Sequence, residues 1–134
     1  MATATVRPDR IGHVSLRVRN LRHSMDFYRG LIGLYPRQTD PPSALVRVCS
    51  PSSGSEPARA SVILTEGLPA GSELTGLDHF SLVVATNEDV DQAYRQAVAQ
   101  AIRATEPRVY AGRYQTFLFD PDGYKIEIRA EQPG

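Results

Sequence analysis

Ile11-Gly-His-Val-Ser-Leu-Arg-Val18 and Leu77-Asp-His-Phe-Ser-Leu-Val-Val84 are two versions of one phrase. Each carries His in third place and Ser in fifth, and the copies are separated by about half of the 134-residue chain. So long a period points to two copies of one supersecondary unit, because a solenoid needs at least ~3 shorter repeats. Apolar residues alternate with others in both copies, which is the period of a half-buried strand. Val14, Leu16 and Val18 are expected to face a core, with His13, Ser15 and Arg17 on the opposite side. Phe80, Leu82 and Val84 likewise leave His79, Ser81 and Val83 together. A histidine thus opens the non-core face of each repeat.

Working outward from the first copy, Asn20 is placed to cap a helix over residues 21–32, and Gly33 to end it. Residues 34–39, 44–49 and 60–65 read as strands, the first of them an edge strand because it contains Pro36. Residues 66–76 have the composition of a linker. The second copy replays the order. Thr86 or Asn87 caps a helix whose first turn carries Glu88 and Asp89, favourable at the positive end of the helix dipole. Val90, Ala93, Tyr94, Ala97, Val98 and Ala101 form its apolar stripe. Strands are expected over 102–106, 114–119 and 124–129, with turns near Tyr110-Ala-Gly112 and at Asp120-Pro-Asp-Gly123. In the last strand Glu127 lies opposite Ile126 and Ile128, on the same side as the two histidines.

Composition narrows the function. Fifteen Lys plus Arg balance fifteen Asp plus Glu, so nothing suggests a nucleic-acid or anionic-membrane partner. Cys49 is the single cysteine; it excludes an intrachain disulfide and fits a reducing compartment. Residues 1–10 lack the apolar stretch of a secretory signal, and no run approaches the ~18 apolar residues of a membrane span. A single soluble, cytoplasmic domain over 1–134 is the expectation, with module one at about 10–66 and module two at about 77–130.

The doubled β-α-β-β-β pattern, the opening histidines and the closing D-P-D-G-Y-K-I-E-I resemble the vicinal oxygen chelate superfamily, over roughly residues 10 to 130. Its members include glyoxalase I, extradiol dioxygenases, fosfomycin-modifying enzymes, methylmalonyl-CoA epimerase and metal-free bleomycin-binding proteins. The resemblance implies an α+β fold in which two βαβββ modules curve a mixed sheet around a metal-binding cavity, with helices on the outer face. It implies one divalent ion per site (Fe, Mn, Zn, Ni or Co) held by His13, His79 and Glu127. It also implies a small-molecule substrate and a homodimer in which sites are shared between chains. Two imidazoles and a carboxylate suit such an ion independently of family, leaving positions open for substrate or water.

Departures from the family pattern sharpen the choice. Glyoxalase I and the epimerase add a fourth ligand on the fourth strand, where this chain aligns Ile63; Glu66 reaches that position only after a register slip. Extradiol enzymes share the triad and resemble the region from Gly112-Arg113, but place a tyrosine at Phe117 and use a further histidine as acid and base. The third histidine here, His23, reads as a solvent-facing helix residue, which leaves Tyr114 as the candidate proton donor. The fosfomycin enzymes place a hydroxyl at Ser15, yet carry a C-terminal basic stretch that this chain lacks. Candidate substrate contacts are Ser15, Arg17, Ser81, Arg113, Phe117 and Phe119, with Lys125 and Arg129 nearby on the same face. The leading expectation is a metal-dependent enzyme with extradiol-type chemistry. The alternatives are glyoxalase, isomerase or lyase chemistry, fosfomycin-type transfer, or non-catalytic drug binding.

Overall fold

A computed structural model describes residues 10–37, 45–50 and 60–131. Module one comprises β1 (Val14–Val18), α1 (Leu21–Met25), β2 (Tyr35–Arg37), β3 (Leu45–Cys49) and β4 (Ser61–Glu66). Module two comprises β5 (Phe80–Val84), α2 (Asn87–Ala99), β6 (Arg108–Tyr110), β7 (Arg113–Phe119) and β8 (Lys125–Ala130). Each makes a four-stranded mixed sheet, ordered β1-β4-β3-β2 and β5-β8-β7-β6. β1 runs parallel to β4 and β5 parallel to β8, while the other pairs are antiparallel. The repeat in the sequence is therefore a repeat in the fold. Pro36 sits in β2, an edge strand, where a missing N–H costs no ladder bond.

Alternation sets which way each strand faces. Leu16 and Val18 are buried while Ser15 and Arg17 are exposed, and Ile126, Ile128 and Ala130 are buried between half-buried Lys125, Glu127 and Arg129. The apolar sides of both sheets meet the helices in one continuous core that includes Leu64, Val90, Leu118 and Ile126. Asn20 caps α1 by accepting from the His23 N–H. The helix then widens into a π-helical stretch, Asp26–Leu31, and the chain turns away at Gly33 with a positive φ of 84°. Thr86 and Asp89 close a capping box at the start of α2.

Two expectations for module two need correction. The apolar stripe of α2 does not extend to its end: Val98 is 55 % exposed, and Ala101 adopts φ 58°, beyond the last helical turn. Residues 102–106 do not form a strand. They contribute one isolated bridge, Ala104 to Leu118, and the fourth strand is Arg108–Tyr110 instead. The cause is the two-residue turn at Ala111 and Gly112, with φ values of 50° and 79°. Positive φ at both central positions matches the tight turns that join twisted antiparallel strands. That turn sets β6 in register with Arg113–Gln115.

The Asp120–Gly123 turn fastens the modules together. The Tyr28 hydroxyl donates to Asp120 Oδ2 at 2.7 Å, while Asp120 Oδ1 accepts the N–H groups of Asp122 and Tyr124. Asp122 in turn accepts from the Arg19 N–H and pairs with its guanidinium. The Tyr124 hydroxyl donates to the Arg17 carbonyl on β1. Burial pushes the Asp120 carboxyl up to about 6, against these hydrogen bonds. Burial and the Asp120 carboxylate push the Tyr28 hydroxyl well above its ordinary range, so it stays a donor. Cys49 is buried, its Sγ 3.7 Å from the Ser61 hydroxyl. Among the described residues, no helix is long and apolar enough to cross a membrane.

Candidate metal and substrate site

The face of the second sheet turned away from the helices carries the chemistry. Register aligns its side chains in rows: Ser81, Glu127 and Phe117 form one, and Val83, Arg129, Gln115 and Arg108 the next. His79 stands one residue ahead of β5, two positions before Ser81. Its ring meets Phe117 edge-on with centroids 5.4 Å apart, so His79, Phe117 and Glu127 cluster beside one another. His79 Nδ1 is hydrogen-bonded to Asp78 Oδ2 at 2.5 Å. That bond holds the Asp78 carboxyl below its usual range, helped by the charge of Lys125. With Nδ1 engaged, Nε2 is the nitrogen left for a metal, the arrangement in which an outer carboxylate orients a ligating imidazole. Glu127 is half-buried, and its carboxylate makes no hydrogen bond or ion pair with any described residue. The donor chemistry of these two residues fits a divalent cation.

His13 is exposed at the start of β1 and lines, with His79, a cleft of about 820 Å³ between the modules. Ser81, Arg113 and Arg129 line the same cleft. Among the described residues, however, no three His, Cys, Asp or Glu side chains of one chain are grouped to hold a metal ion. The fold thus puts His79 and Glu127 on one face and His13 across a cleft, without closing the triad inside a single chain.

The remaining expected contacts divide. Phe117 lies beside Glu127 and beneath Lys125, whose Nζ is 4.2 Å from the ring centroid. Ser15 and Arg17 share a face with each other but line a separate cleft with Leu74 and Tyr124. Phe119 lies under Arg103, at 4.1 Å, in a cleft near His23. Tyr114 is a correction. It belongs to the face of β7 that packs on α2, with buried Thr116 and Leu118, and its hydroxyl donates to Asp91. The Asp91 carboxylate pushes that hydroxyl up, so Tyr114 is committed to the helix and turned away from Glu127.

The fourth-ligand question has a geometric answer. Ser15 pairs with Ile63 across β1 and β4, as Ser81 pairs with Glu127 across β5 and β8. Ile63 therefore holds the position equivalent to Glu127. Glu66 falls on the alternate face with Val62 and Leu64, and its Oε2 accepts the Leu21 N–H at the start of α1. Two residues escaped the sequence reading. Asp78 was marked by being the carboxylate that replaces Gly12 in the second phrase, and Gln115 by its alternation with Phe117 and Phe119.

Two four-stranded βαβββ modules with paired histidines define a chain of the glyoxalase and dioxygenase type. Residues 10–128 match the Glyoxalase/Bleomycin resistance protein/Dioxygenase superfamily, and the chain belongs to that family. It is 28 % identical over 132 residues to a lactoylglutathione lyase of Neisseria meningitidis, covering 93 % of each chain. It is 30 % identical to a catechol-2,3-dioxygenase of Bacillus subtilis, covering 92 % of this chain but 42 % of that protein. Among solved structures, a glyoxylase/bleomycin resistance protein/dioxygenase domain from Frankia sp. EAN1pec superposes with a TM-score of 0.74 at 22 % identity, covering 92 % of this chain and 98 % of that one. The fosfomycin resistance protein FosX of Listeria monocytogenes shares the fold with a TM-score of 0.72 at 15 % identity, covering 94 % of this chain and 96 % of that one.

Proposed function

We propose that this protein is a metal-dependent enzyme that takes a small, oxygen-rich organic substrate and carries out extradiol-type ring oxygenation. The ion is held by His79 and Glu127 of one chain and His13 of a second copy, which together make the site that one chain leaves incomplete. The observation that carries the reading is Ile63 in the place equivalent to Glu127. Three protein ligands instead of four leave open positions for a bidentate substrate and a further small molecule. The bound ion supplies Lewis acidity, stabilising negative charge on adjacent substrate oxygens. The chain does the rest. Asp78 fixes the His79 imidazole, and Phe117 sets a flat apolar surface next to Glu127. Arg113 offers a fixed positive charge in the same cleft as both histidines.

Lyase or isomerase chemistry is the second reading. The full-length likeness to lactoylglutathione lyases favours it, whereas the catechol dioxygenase relative is more than twice as long as the matched region. Ile63 speaks against the four-ligand form of that chemistry. Anaerobic reconstitution with Fe(II), Mn(II), Zn(II), Ni(II) or Co(II), then assay against catechols, a methylglyoxal–thiol adduct and fosfomycin, separates the readings. Oxygen uptake with a ring-opened chromophore supports oxygenation. Turnover of the thiol adduct alone, without oxygen, assigns the protein to the lyases.

A further inference from the structure

The side chains of two arginines in the cleft have no partner among the described residues. Arg113 and Arg129 are half-buried and line the cleft shared by His13 and His79, and their side chains form no hydrogen bond or ion pair with any described residue. A guanidinium stays charged at all accessible pH, and partial burial without a counter-ion is unfavourable. The other arginines of this sheet region are engaged differently: Arg108 lies 5.6 Å from the Tyr110 ring centroid and Arg103 over Phe119. Directly across from Arg129 is Gln115, 4 % exposed, whose side chain makes no hydrogen bond to a described residue. Gln115 lines the neighbouring cleft with Phe117 and Lys125.

We propose that Arg113 and Arg129 form an anion subsite that takes the carboxylate of an organic-acid substrate. The proposal rests on reading this cleft as the substrate site, and it names the substrate class. The excess of guanidinium charge favours an anion. Among the described residues that line the cleft, the two guanidinium groups outnumber the single carboxylate, Glu131. A planar carboxylate suits the guanidinium fork, which donates two parallel N–H groups. Anchored there, the acid extends its other oxygens toward His13 and His79.

Binding of matched acid and amide probes tests this by calorimetry: 3,4-dihydroxybenzoate against 3,4-dihydroxybenzamide, and lactate against lactamide, each on metal-free and metal-loaded protein. Wild type is expected to favour the acid by roughly 10-fold or more on at least one scaffold, the range of a charge-assisted pair. In Arg113→Gln and Arg129→Gln the preference falls toward parity, and Arg129→Lys, which keeps the charge but loses the fork, retains part of it. Circular dichroism verifies folding, and Arg129→Lys carries the test if a glutamine variant does not fold. Equal affinities in wild type, no binding of any probe, or a preference that survives the arginine substitutions overturns the subsite. His79→Ala separates the two readings. Weaker binding of acid and amide alike, with the ratio kept, supports both. Unchanged affinities remove the metal site while the acid preference is still decided by the arginine variants.

Discussion

Ile63 holds in the first sheet the register position that Glu127 holds in the second: each lies directly across from the serine of its repeated phrase. The two modules are alike in backbone and unlike in chemistry. One presents a carboxylate beside Phe117 and Ser81, the other an isoleucine that cannot coordinate.

Glu66→Gln is therefore expected to leave metal affinity close to wild type, because Glu66 is turned toward the Leu21 N–H. Glu127→Gln is expected to weaken it by more than ~10-fold. Competitive titration with a chromophoric chelator measures both. A large loss in Glu66→Gln would restore a four-ligand site.

Tyr114→Phe removes a hydroxyl bonded to Asp91 on α2, away from Glu127. The expected effect is a stability loss of about 0.5–1.5 kcal/mol with turnover per bound metal unchanged. A drop in turnover beyond ~10-fold, at full folding and full metal loading, would return Tyr114 to the reaction.

Asp120 gives stability a pH dependence. Its folded value, about 6, lies above its ordinary value of 3.8. Its contribution is then fully present below about pH 4 and is lost as pH rises through 6, since the unfolded chain ionises more readily. The loss is on the order of 2–3 kcal/mol. Asp120→Asn keeps an oxygen for the Asp122 and Tyr124 N–H groups and lets the Tyr28 hydroxyl accept instead. Urea melts should show its stability relative to wild type rising between pH 4.5 and 7.5. A difference that is flat or falls with pH contradicts the assignment.

Much of this architecture was legible in the sequence because its signals are local. The repeated phrase set two strands and their facing, Asn20 and Thr86 marked the helix starts, and Asp120-Pro-Asp-Gly123 marked the last hairpin. Residues 102–106 were misread because Ile102 and Ala104 alternate like a strand yet pack on the core as an irregular segment. The positive-φ turn at Ala111 and Gly112 sets the pairing at Arg108–Tyr110. The alternation of Phe117 and Phe119 with Leu118 already puts Tyr114 on the Leu118 side of β7, where its hydroxyl reaches Asp91. The separation of Ser15 and Arg17 from His79 depends on how the linker and Tyr124 lie against β1, a long-range contact that composition does not encode.

His13 of one chain is expected to complete the metal site of another. Denature His13→Ala and Glu127→Ala proteins, refold them together, isolate the heterodimer by orthogonal tags, and determine metal per dimer by elemental analysis. In the heterodimer, one site regains an intact His13, His79 and Glu127 while the other lacks two ligands. The account predicts close to one tightly held ion per heterodimer and little in either parent. A verified heterodimer that binds no more metal than its parents contradicts it.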